Sequence, residues 1–364
     1  MGITIGLTYD LKEERPLRPG EPPDANAELD SKATVHDLQK IFESAGHEVK
    51  LIGNAHQLLS RINKLGVDVV FNIAEGFSGR NRESQVPLLL EMHNIPFIGS
   101  DALTLGLTLD KSTAKKCFMA DGIPTPKFFE ARSVDHVEKL NVIGFPLMVK
   151  PCYEGTSKGI SSLSRVEDNA GLRRQVKLVT ENYHQPALVE EFIKGKEFTV
   201  VVFGNDTPEP MPVIQYVMNN KFDLGNEIYT FERVKEESVK YVCPAQISDH
   251  FAKKLQAIAV AAYKSVYCKD FGRVDFRVDD KENIYVLEVN PLPNLSKRDT
   301  FLYVAQALGK PFEELILRAL DEGLSRLNLK QQTQFSSVLN SGEIGTPRFP
   351  LRRNQGESRQ EVEV

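Results

Sequence analysis

Short apolar runs alternate with helically spaced apolar residues through the first hundred positions of the chain. The β-rich runs cover 3–9, 47–53, 67–72 and 95–100. Apolar residues at helical spacing cover 31–45, 55–65 and 85–93. Because the two patterns alternate and the strand runs are largely apolar, this region predicts a parallel sheet with helices on both faces.

The loops that follow the predicted strands are the candidate ligand-binding segments of this sheet. Ligands of parallel sheets bind beyond the carboxyl ends of the strands, which here lead into the loops 10–30 and 73–84. The first loop is long and contains four prolines. We therefore expect it to be irregular and functional rather than a simple connection.

The rest of the chain predicts one helix, several strands and a closing helix. A helix is predicted over 110–121, followed by strands over 144–151 and 186–192. Two hairpins are predicted, one from the runs 197–205 and 211–219 and one within 271–291. A helix over 312–326 closes the folded part, and the polar, aperiodic segment 329–364 predicts a disordered tail.

Composition and charge narrow the class of protein. The chain has 364 residues, of which 41% are hydrophobic, so it is long enough for two or three globular units. A net charge of −5 argues against a general binder of nucleic acid or anionic membranes, which needs a basic excess. The sequence has no apolar run of membrane-spanning length and no secretory signal pattern. Its four cysteines are scattered without a CxxC pair. These features predict a cytoplasmic enzyme.

A glycine-rich segment, KPCYEGTSKGI at 150–160, is the first candidate for chemistry. Glycines allow backbone N–H groups to converge on phosphate oxygens, and a neighbouring lysine neutralises their charge. The segment is not a Walker loop, because no Gly-Lys-Ser/Thr opens a helix. Taken alone, such a turn is more often structural than phosphate-binding.

The second candidate is the hairpin predicted within 271–291. Strict alternation places Arg273 and Asp275 on one face. It also places Val286, Glu288 and Asn290 on one face, with Leu287 and Val289 on the other. Asp275, Glu288 and Asn290 can then converge as the hard oxygen ligands that Mg²⁺ prefers. The alternative is a solvated face that carries an ordinary arginine–carboxylate pair.

The order of these motifs resembles the ATP-grasp superfamily and, within it, the D-alanine–D-alanine ligases. The matching segments are DK (110–111), VKPCYEGTSKGI, LVEEFIKGKEF, YVCPA (241–245), GRVDF and EVNPLP. The resemblance covers roughly residues 1–325 and implies an α/β, three-domain ATP-grasp architecture. It implies an N-terminal parallel-sheet domain over 1–105 and two α+β subdomains, 106–190 and 191–328, that clamp ATP, followed by the tail 329–364.

The resemblance also implies roles for particular residues of these motifs. The residues implied to contact ATP or its covering loop are Lys111, Lys150, Glu154, Thr156, Ser157, Glu190, Ile193, Glu197 and Arg233. Two Mg²⁺ ions, with Mn²⁺ as an alternative, are implied to bind Asp275, Glu288 and Asn290. The implied catalytic residues are Arg273, which steadies an acyl phosphate, together with Lys150 and Thr156.

The activity implied is an ATP-dependent ligation of two small amino acids through an acyl phosphate, most simply of D-alanine to D-alanine. One alternative is the same chemistry on other amino acids or small carboxylates and amines. Another is a nucleotide-binding module that has lost ligation. Against it stands the presence together of Lys111, Lys150, Arg273, Asp275, Glu288 and Asn290. A homodimer is the candidate assembly.

The sequence departs from the family pattern at the substrate ends. The usual acidic stretch after the first strand is replaced by a longer loop, in which Asp24, Glu28 and Asp30 are candidates to hold the first substrate's amino group. The next strand end carries Asn72, with Glu75 and Glu83 further on. Arg233 and Val234 stand where a lid lysine and tyrosine are usual.

The segment PNLSKRDT (293–300) is a further departure, because Asp299 stands where a serine usually holds the acceptor's carboxylate. A carboxylate there disfavours a bare acceptor carboxylate unless Lys297 or Arg298 intervenes. The candidate substrate residues are Glu28, Asn72, Asn294 and Asp299.

Overall fold

The computed structural model describes residues 2–139, 143–230 and 239–329 and contains three sheets. The first is parallel, as predicted, with the strand order β2-β1-β3-β4. Its strands are β1 (Thr4–Thr8), β2 (Glu48–Gly53), β3 (Val69–Asn72) and β4 (Phe97–Ile98). The helices between them are α1 (Lys32–Ser44), α2 (Ala55–Arg61) and α3 (Gln85–Met92). The predicted alternation of strands and helices is therefore confirmed.

Two consecutive helices lead out of this sheet, where the sequence predicted one. They are α4 (Ala102–Leu109) and α5 (Lys111–Ala120). Asp101 caps the start of α4 and Asp110 caps the start of α5 through their side chains. The predicted domain boundary at 105/106 falls inside α4.

The second sheet is antiparallel, with the order β5-β8-β6-β7. Its strands are β5 (Phe128–Ala131), β6 (Leu147–Pro151), β7 (Arg165–Val166) and β8 (Ala187–Glu191). The helices α6 (Val134–Lys139) and α7 (Asn169–Asn182) belong to the same unit. The apolar residues of α7, including Leu172, Val176 and Val179, pack into the core beneath this sheet.

The third sheet is also antiparallel, with the order β12-β11-β9-β13-β14 and a short strand, β10, paired to β9. Its strands are β9 (Lys196–Phe203), β10 (Glu209–Pro210), β11 (Ile214–Met218), β12 (Val239–Val242), β13 (Phe271–Val278) and β14 (Ile284–Asn290). The remaining helices are α8 (Asp249–Ser265), α9 (Thr300–Ala307) and α10 (Phe312–Arg326). Both predicted hairpins are confirmed, because β9 pairs with β11 and β13 pairs with β14.

The first and third sheets share one hydrophobic core. Phe71 of β3 stacks on Phe271 of β13, with ring centroids 5.7 Å apart. Asp270, which is fully buried, accepts hydrogen bonds from the Gly99 N–H at 2.9 Å and from Arg326 of α10 at 2.7 Å. These contacts join β3 and the residue after β4 to the start of β13.

Three further sequence predictions concern the whole chain. All four cysteines are free thiols. Among the residues that the structure describes, none of the helices has the length and apolar character needed to cross a bilayer. Apart from Leu329, the predicted tail lies outside the described residues, as does Arg233 of the predicted lid.

Candidate active site

A cleft of about 980 Å³ opens between the second and third sheets. The second sheet contributes Lys150 of β6 and Glu190 of β8, and the third contributes Glu197 of β9 and Glu288 of β14. The glycine-rich loop, defined here as residues 154–160, forms a further wall. The cleft therefore brings together motifs that are far apart in sequence.

Buried lysines and glutamates form a charge network on this wall. The two carboxylate oxygens of Glu190 lie 2.7 Å from the Lys150 ammonium and 2.8 Å from the Lys115 ammonium. Burial disfavours the charge of Glu190, but the two lysines outweigh it and hold the pKa of its carboxyl below the usual range. Because Lys115 is fully buried and lies near Lys150, its own pKa falls to about 8.

A second ion pair connects the start of α5 to the terminal hairpin. The Lys111 ammonium lies 3.2 Å from the Glu288 carboxylate and also donates to the backbone carbonyl of Glu154. Burial opposes ionisation of Glu288, but Lys111, Lys150 and Arg273 outweigh it and hold the pKa of Glu288 at about 2. Glu288 is therefore charged at any physiological pH.

The hairpin brings Arg273, Asp275 and Asn290 into direct contact. The Arg273 guanidinium donates two hydrogen bonds of 2.9 Å to the two oxygens of Asp275. The Asn290 amide donates to Asp275 at 2.9 Å, and the Thr199 hydroxyl donates to it at 2.6 Å. Asp275 stands opposite Glu288 in the strand register, so the oxygen-bearing side chains share one face, as the sequence predicted.

One detail of the predicted hairpin is wrong. The register pairs Asp275 with Glu288 but Phe276 with Val286, which makes Leu287 an extra residue on β14. Val286 consequently packs in the core, while Leu287 lines the cleft. The bulge interrupts strict alternation, so Val286 does not share the face of Glu288 and Leu287 does not share that of Val289.

The far end of the cleft is apolar and has a paired carboxylate beside it. Ile193 and Leu287 line this end. The Glu197 carboxylate lies 2.9 Å from Arg277, whose guanidinium stacks over the Phe192 ring at 5.6 Å. Contacts of Ile193 with a nucleotide base and of Glu197 with its ribose stay predictions. A contact between Glu190 and the base stays a prediction, since its carboxylate is already held by two lysines.

The glycine-rich loop is held in a turn by its own backbone. The Lys158 N–H donates to the Gly155 carbonyl at 2.9 Å, and the Ile160 N–H donates to the Ser157 carbonyl at 3.0 Å. Thr156 and Ser157 both have positive φ, near 50°, a conformation that costs energy for residues other than glycine. Thr156 and Ser157 line the cleft, and a contact of their hydroxyls or N–H groups with phosphate stays a prediction.

A second cavity, of about 1,100 Å³, adjoins the cleft and shares Thr156 and Arg273 with it. Its charged lining consists of Arg273 and the carboxylates Glu28, Asp30, Glu75, Glu83 and Asp299. Its aromatic lining includes Tyr216, Tyr229 and Tyr241. The shared residues make one continuous site of two compartments.

The candidate substrate residues differ in where they lie. Glu28, Asn294 and Asp299 line the second cavity. Asn72 is buried, and its carbonyl oxygen accepts from the Thr8 hydroxyl at 2.8 Å and the Ala74 N–H at 3.1 Å. It is not among the residues that line the cavity, and its position indicates a structural role at the end of β3.

Asp299 is the N-cap residue of α9, and its carboxylate faces Arg273. Its carboxylate accepts from the Thr300 N–H at 2.6 Å and lies 3.6 Å from the Arg273 guanidinium. Lys297 does not mask it, because its ammonium lies 3.1 Å from Glu313 on α10. Asp299 therefore remains an acidic element of the cavity wall.

Glu28, Glu75 and Glu83 form an acidic cluster in which carboxylate oxygens lie within 4.8 Å of one another. Burial and the neighbouring carboxylates raise the pKa of Glu75 well above its usual value and that of Glu83 to about 7. For Glu28, burial is outweighed by Arg82, at 2.5 Å, and by Lys158, which together lower its pKa. The cluster therefore combines an ionised carboxylate, Glu28, with two carboxyl groups, Glu75 and Glu83, that stay protonated to higher pH.

The raised pKa of Glu83 gives a pH dependence of stability. The folded protein holds this proton above pH 5, where an unfolded glutamate with a pKa near 4 has released it, so stability falls as the pH rises towards 7. Between pH 5 and pH 8, we expect the free energy of unfolding of Glu83→Gln to fall by on the order of 2 kcal/mol less than that of the wild type. Urea unfolding of both proteins at the two pH values measures it; parallel pH profiles would contradict the assignment.

Sequence reasoning missed several residues of this site. Lys115 and Arg277 are buried cations that fix Glu190 and Glu197, and their burial could not be recognised from isolated basic residues. Tyr216 and Tyr241 stand opposite each other on β11 and β12. Each of these strands contains a single tyrosine, which was the local signal available for this wall.

Comparisons with known proteins agree with this geometry. The family model described as D-ala D-ala ligase C-terminus matches residues 118–321. The chain is 34% identical over 293 residues to the protein named Uncharacterized protein y4sG of Sinorhizobium fredii, covering 77% of this chain and 84% of that protein. It is 32% identical to a D-alanine–D-alanine ligase of Carboxydothermus hydrogenoformans, covering 77% of this chain and 88% of that enzyme.

A solved structure shares the fold at lower identity. It is a D-alanine–D-alanine ligase from Bacillus anthracis in complex with ATP. It superposes with a TM-score of 0.69 at 22% identity and covers 91% of this chain and 100% of that one. The three-sheet arrangement described above is therefore the fold of that enzyme.

Proposed function

The chain belongs to the D-alanine–D-alanine ligase family of ATP-grasp enzymes, and from that membership we propose that it joins two small amino acids through an amide bond at the expense of ATP. The observation that carries the proposal is the two-compartment site. A cleft lined by both basic residues and carboxylates, suited to a nucleoside triphosphate with its metal ion, adjoins at Thr156 and Arg273 a cavity suited to amino groups.

The first step transfers the γ-phosphoryl group to the donor amino acid. A carboxylate oxygen of the donor forms the new bond to phosphorus, the bond to the β-phosphate oxygen breaks, and ADP leaves. Phosphoryl transfer depends mainly on positioning and on cationic stabilisation of spread negative charge. Lys111, Lys150 and Arg273 line the cleft and supply that charge.

The second step forms the amide. The lone pair of the acceptor's amine attacks the acyl carbon, the bond from carbon to the phosphate oxygen breaks, and the amine loses a proton. Arg273 stands at the junction of the two compartments, where it can stabilise the oxyanion and the departing phosphate. The carboxylates of the second cavity are placed to hold the substrates' amino groups.

Magnesium is part of the proposal because the donor set suits it. Asp275, Glu288 and Asn290 present hard oxygens on one face, and the Glu288 carboxyl has a pKa of about 2, so it is ionised. Lys111 and Arg273 now neutralise these carboxylates. Asp275, Glu288 and Asn290 would hold Mg²⁺, which would supply neutralisation of the charge that develops on the transferred phosphoryl group.

Asp299 favours a second candidate for the acceptor. A bare carboxylate entering beside Asp299 would meet a like charge, and Arg273 is already paired with Asp275. An acceptor that presents a cation or a hydroxyl at that point avoids the repulsion. In this second candidate reaction, the donor is still a small amino acid.

The discriminating experiment measures ADP and amide product together. The enzyme is incubated with ATP and Mg²⁺, with single D- and L-amino acids and with pairs of them, and the amides are detected by mass spectrometry. We expect ADP release to depend on added amino acid and one amide to form per ADP. ADP release that ignores every amino acid, with no amide, would favour a nucleotide-binding module. The proposal places the enzyme in the cytoplasm, where ATP is available.

A further inference from the structure

We propose that Asp24 is a positioning residue that locks the glycine-rich loop to the proline-rich loop 10–30, so that the nucleotide is covered only while the substrate-side loop is in place. The inference rests on the proposed function for its consequence, but its geometry is independent of which amino acids react. The two loops are more than a hundred residues apart in sequence.

Asp24 is hydrogen-bonded to two residues and is only 4% exposed. One oxygen accepts the Gly159 N–H at 2.8 Å, and both oxygens lie 3.1 Å from the Tyr183 hydroxyl, whose single proton they share. Tyr183 follows the last turn of α7. Asp24 therefore ties the glycine-rich loop to the body of the second sheet.

Glu28 holds the other end of the same loop. Its carboxylate accepts the Gly155 N–H and pairs with Arg82 at 2.5 Å. Gly155 and Gly159 bracket the residues that cover the cleft, and both of their N–H groups are held by carboxylates from one loop. Since the segment between them keeps its own turn hydrogen bonds, it can move as a unit when those two anchors are released.

Gly159 is suited to this attachment and tolerates little else. Its φ is +76°, and a Cβ atom there would lie 2.4 Å from the Pro151 side chain. Glycine is therefore required at the point where Asp24 holds the backbone. The Asp24 carboxylate accepts the Gly159 N–H in place of a backbone carbonyl.

The consequence for the reaction is coupling between substrate binding and nucleotide cover. Loop 10–30 also carries Glu28 and Asp30 in the wall of the second cavity. A donor amino acid that orders this loop also orders the anchors of the glycine-rich loop. Phosphoryl transfer to water is then suppressed when the donor is absent, because the loop that covers and positions the phosphates is not fixed.

The test exploits the peptide bond between Lys158 and Gly159, which trypsin cuts only if the loop leaves its anchors. The full-length protein is digested under native conditions, and cleavage after Lys158 is followed by mass spectrometry relative to cleavage after the exposed Lys281. The variants are Asp24→Ala, Asp24→Asn, in which one oxygen can still accept the Gly159 N–H, and Glu21→Gln. Glu21 is the matched control, since its carboxylate pairs with Arg15 within the same loop.

We expect Asp24→Ala to raise cleavage after Lys158 relative to Lys281 about tenfold and to weaken binding of a non-hydrolysable ATP analogue by a similar factor. The cleavage ratio and the analogue affinity of Asp24→Asn should stay within about threefold of the wild-type values. Those of Glu21→Gln should equal the wild-type values. General destabilisation would instead raise cleavage at both lysines alike.

An unchanged cleavage ratio and analogue affinity in folded Asp24→Ala would overturn the proposal. If that variant does not fold, Tyr183→Phe replaces it: the loss of one donor to Asp24 should still raise the cleavage ratio, and no rise would contradict the lock. Both readouts are independent of amide formation. A failure of the proposed ligation in wild-type protein therefore leaves this test standing.

Discussion

Replacing Glu288 with glutamine is expected to lower Mg²⁺-dependent turnover by about a hundredfold to a thousandfold while the protein stays folded. Glu288 stands opposite Asp275 in the hairpin, and its carboxyl has a pKa of about 2 under the influence of Lys111, Lys150 and Arg273. Glutamine keeps the size and one oxygen but removes the charge that draws a divalent cation. The loss should be largest at low Mg²⁺.

The measurement is the dependence of kcat on Mg²⁺ concentration for both proteins. Glu282→Gln is the matched control, because Glu282 is an exposed carboxylate in the turn of the same hairpin. Thermal unfolding shows that each variant is folded. Near-normal turnover of Glu288→Gln at low Mg²⁺ would remove Glu288 from the metal site.

Replacing Asp299 with serine is expected to raise kcat/KM for D-alanine as acceptor, relative to the enzyme's own preferred acceptor, by up to about a hundredfold. The Asp299 carboxylate lies in the cavity wall, 3.6 Å from Arg273, and Lys297 is turned towards Glu313. One like-charge contact at an effective dielectric near 20 costs on the order of a few kcal/mol. Serine can still cap α9, so the helix start should persist.

Relative kcat/KM values for a panel of acceptors in both proteins give the result. Stability is checked separately, because Asp299 accepts the Thr300 N–H at 2.6 Å and a lost cap would lower the unfolding temperature without changing acceptor preference. An unchanged ratio, in an enzyme already efficient with D-alanine, would place Asp299 outside the specificity determinants.

The chain's hydrophobic pattern predicts much of the fold because the elements concerned have local signals. The parallel strands are apolar runs. In the hairpin of β13 and β14, side chains alternate between the two faces of the sheet except at one residue. Leu287 is that residue: a bulge depends on how two strands pair, and single-strand alternation carries no information about pairing. Helices α7 and α8 were not predicted from the sequence, although their capping residues, Asp168 and Ser248, are typical helix starts.

The candidate site was predictable where a motif fixes the residue and not where packing does. Lys111, Lys150, Asp275 and Glu288 come together as the motifs suggest. The double lysine contact of Glu190 depends on Lys115, whose burial arises from the packing of α5 against the sheets. Long-range contacts of this kind have no local pattern in the sequence.

The most direct test of the central claim follows the oxygen atoms of the donor. The enzyme is supplied with ATP, Mg²⁺, an acceptor and a donor amino acid labelled with ¹⁸O in both carboxylate oxygens, and the phosphate released is analysed by mass spectrometry. An acyl-phosphate mechanism predicts one ¹⁸O in each inorganic phosphate and one retained in each amide, in equal amounts. Unlabelled phosphate released together with ADP would show that ATP is hydrolysed by water and would contradict the proposed ligation.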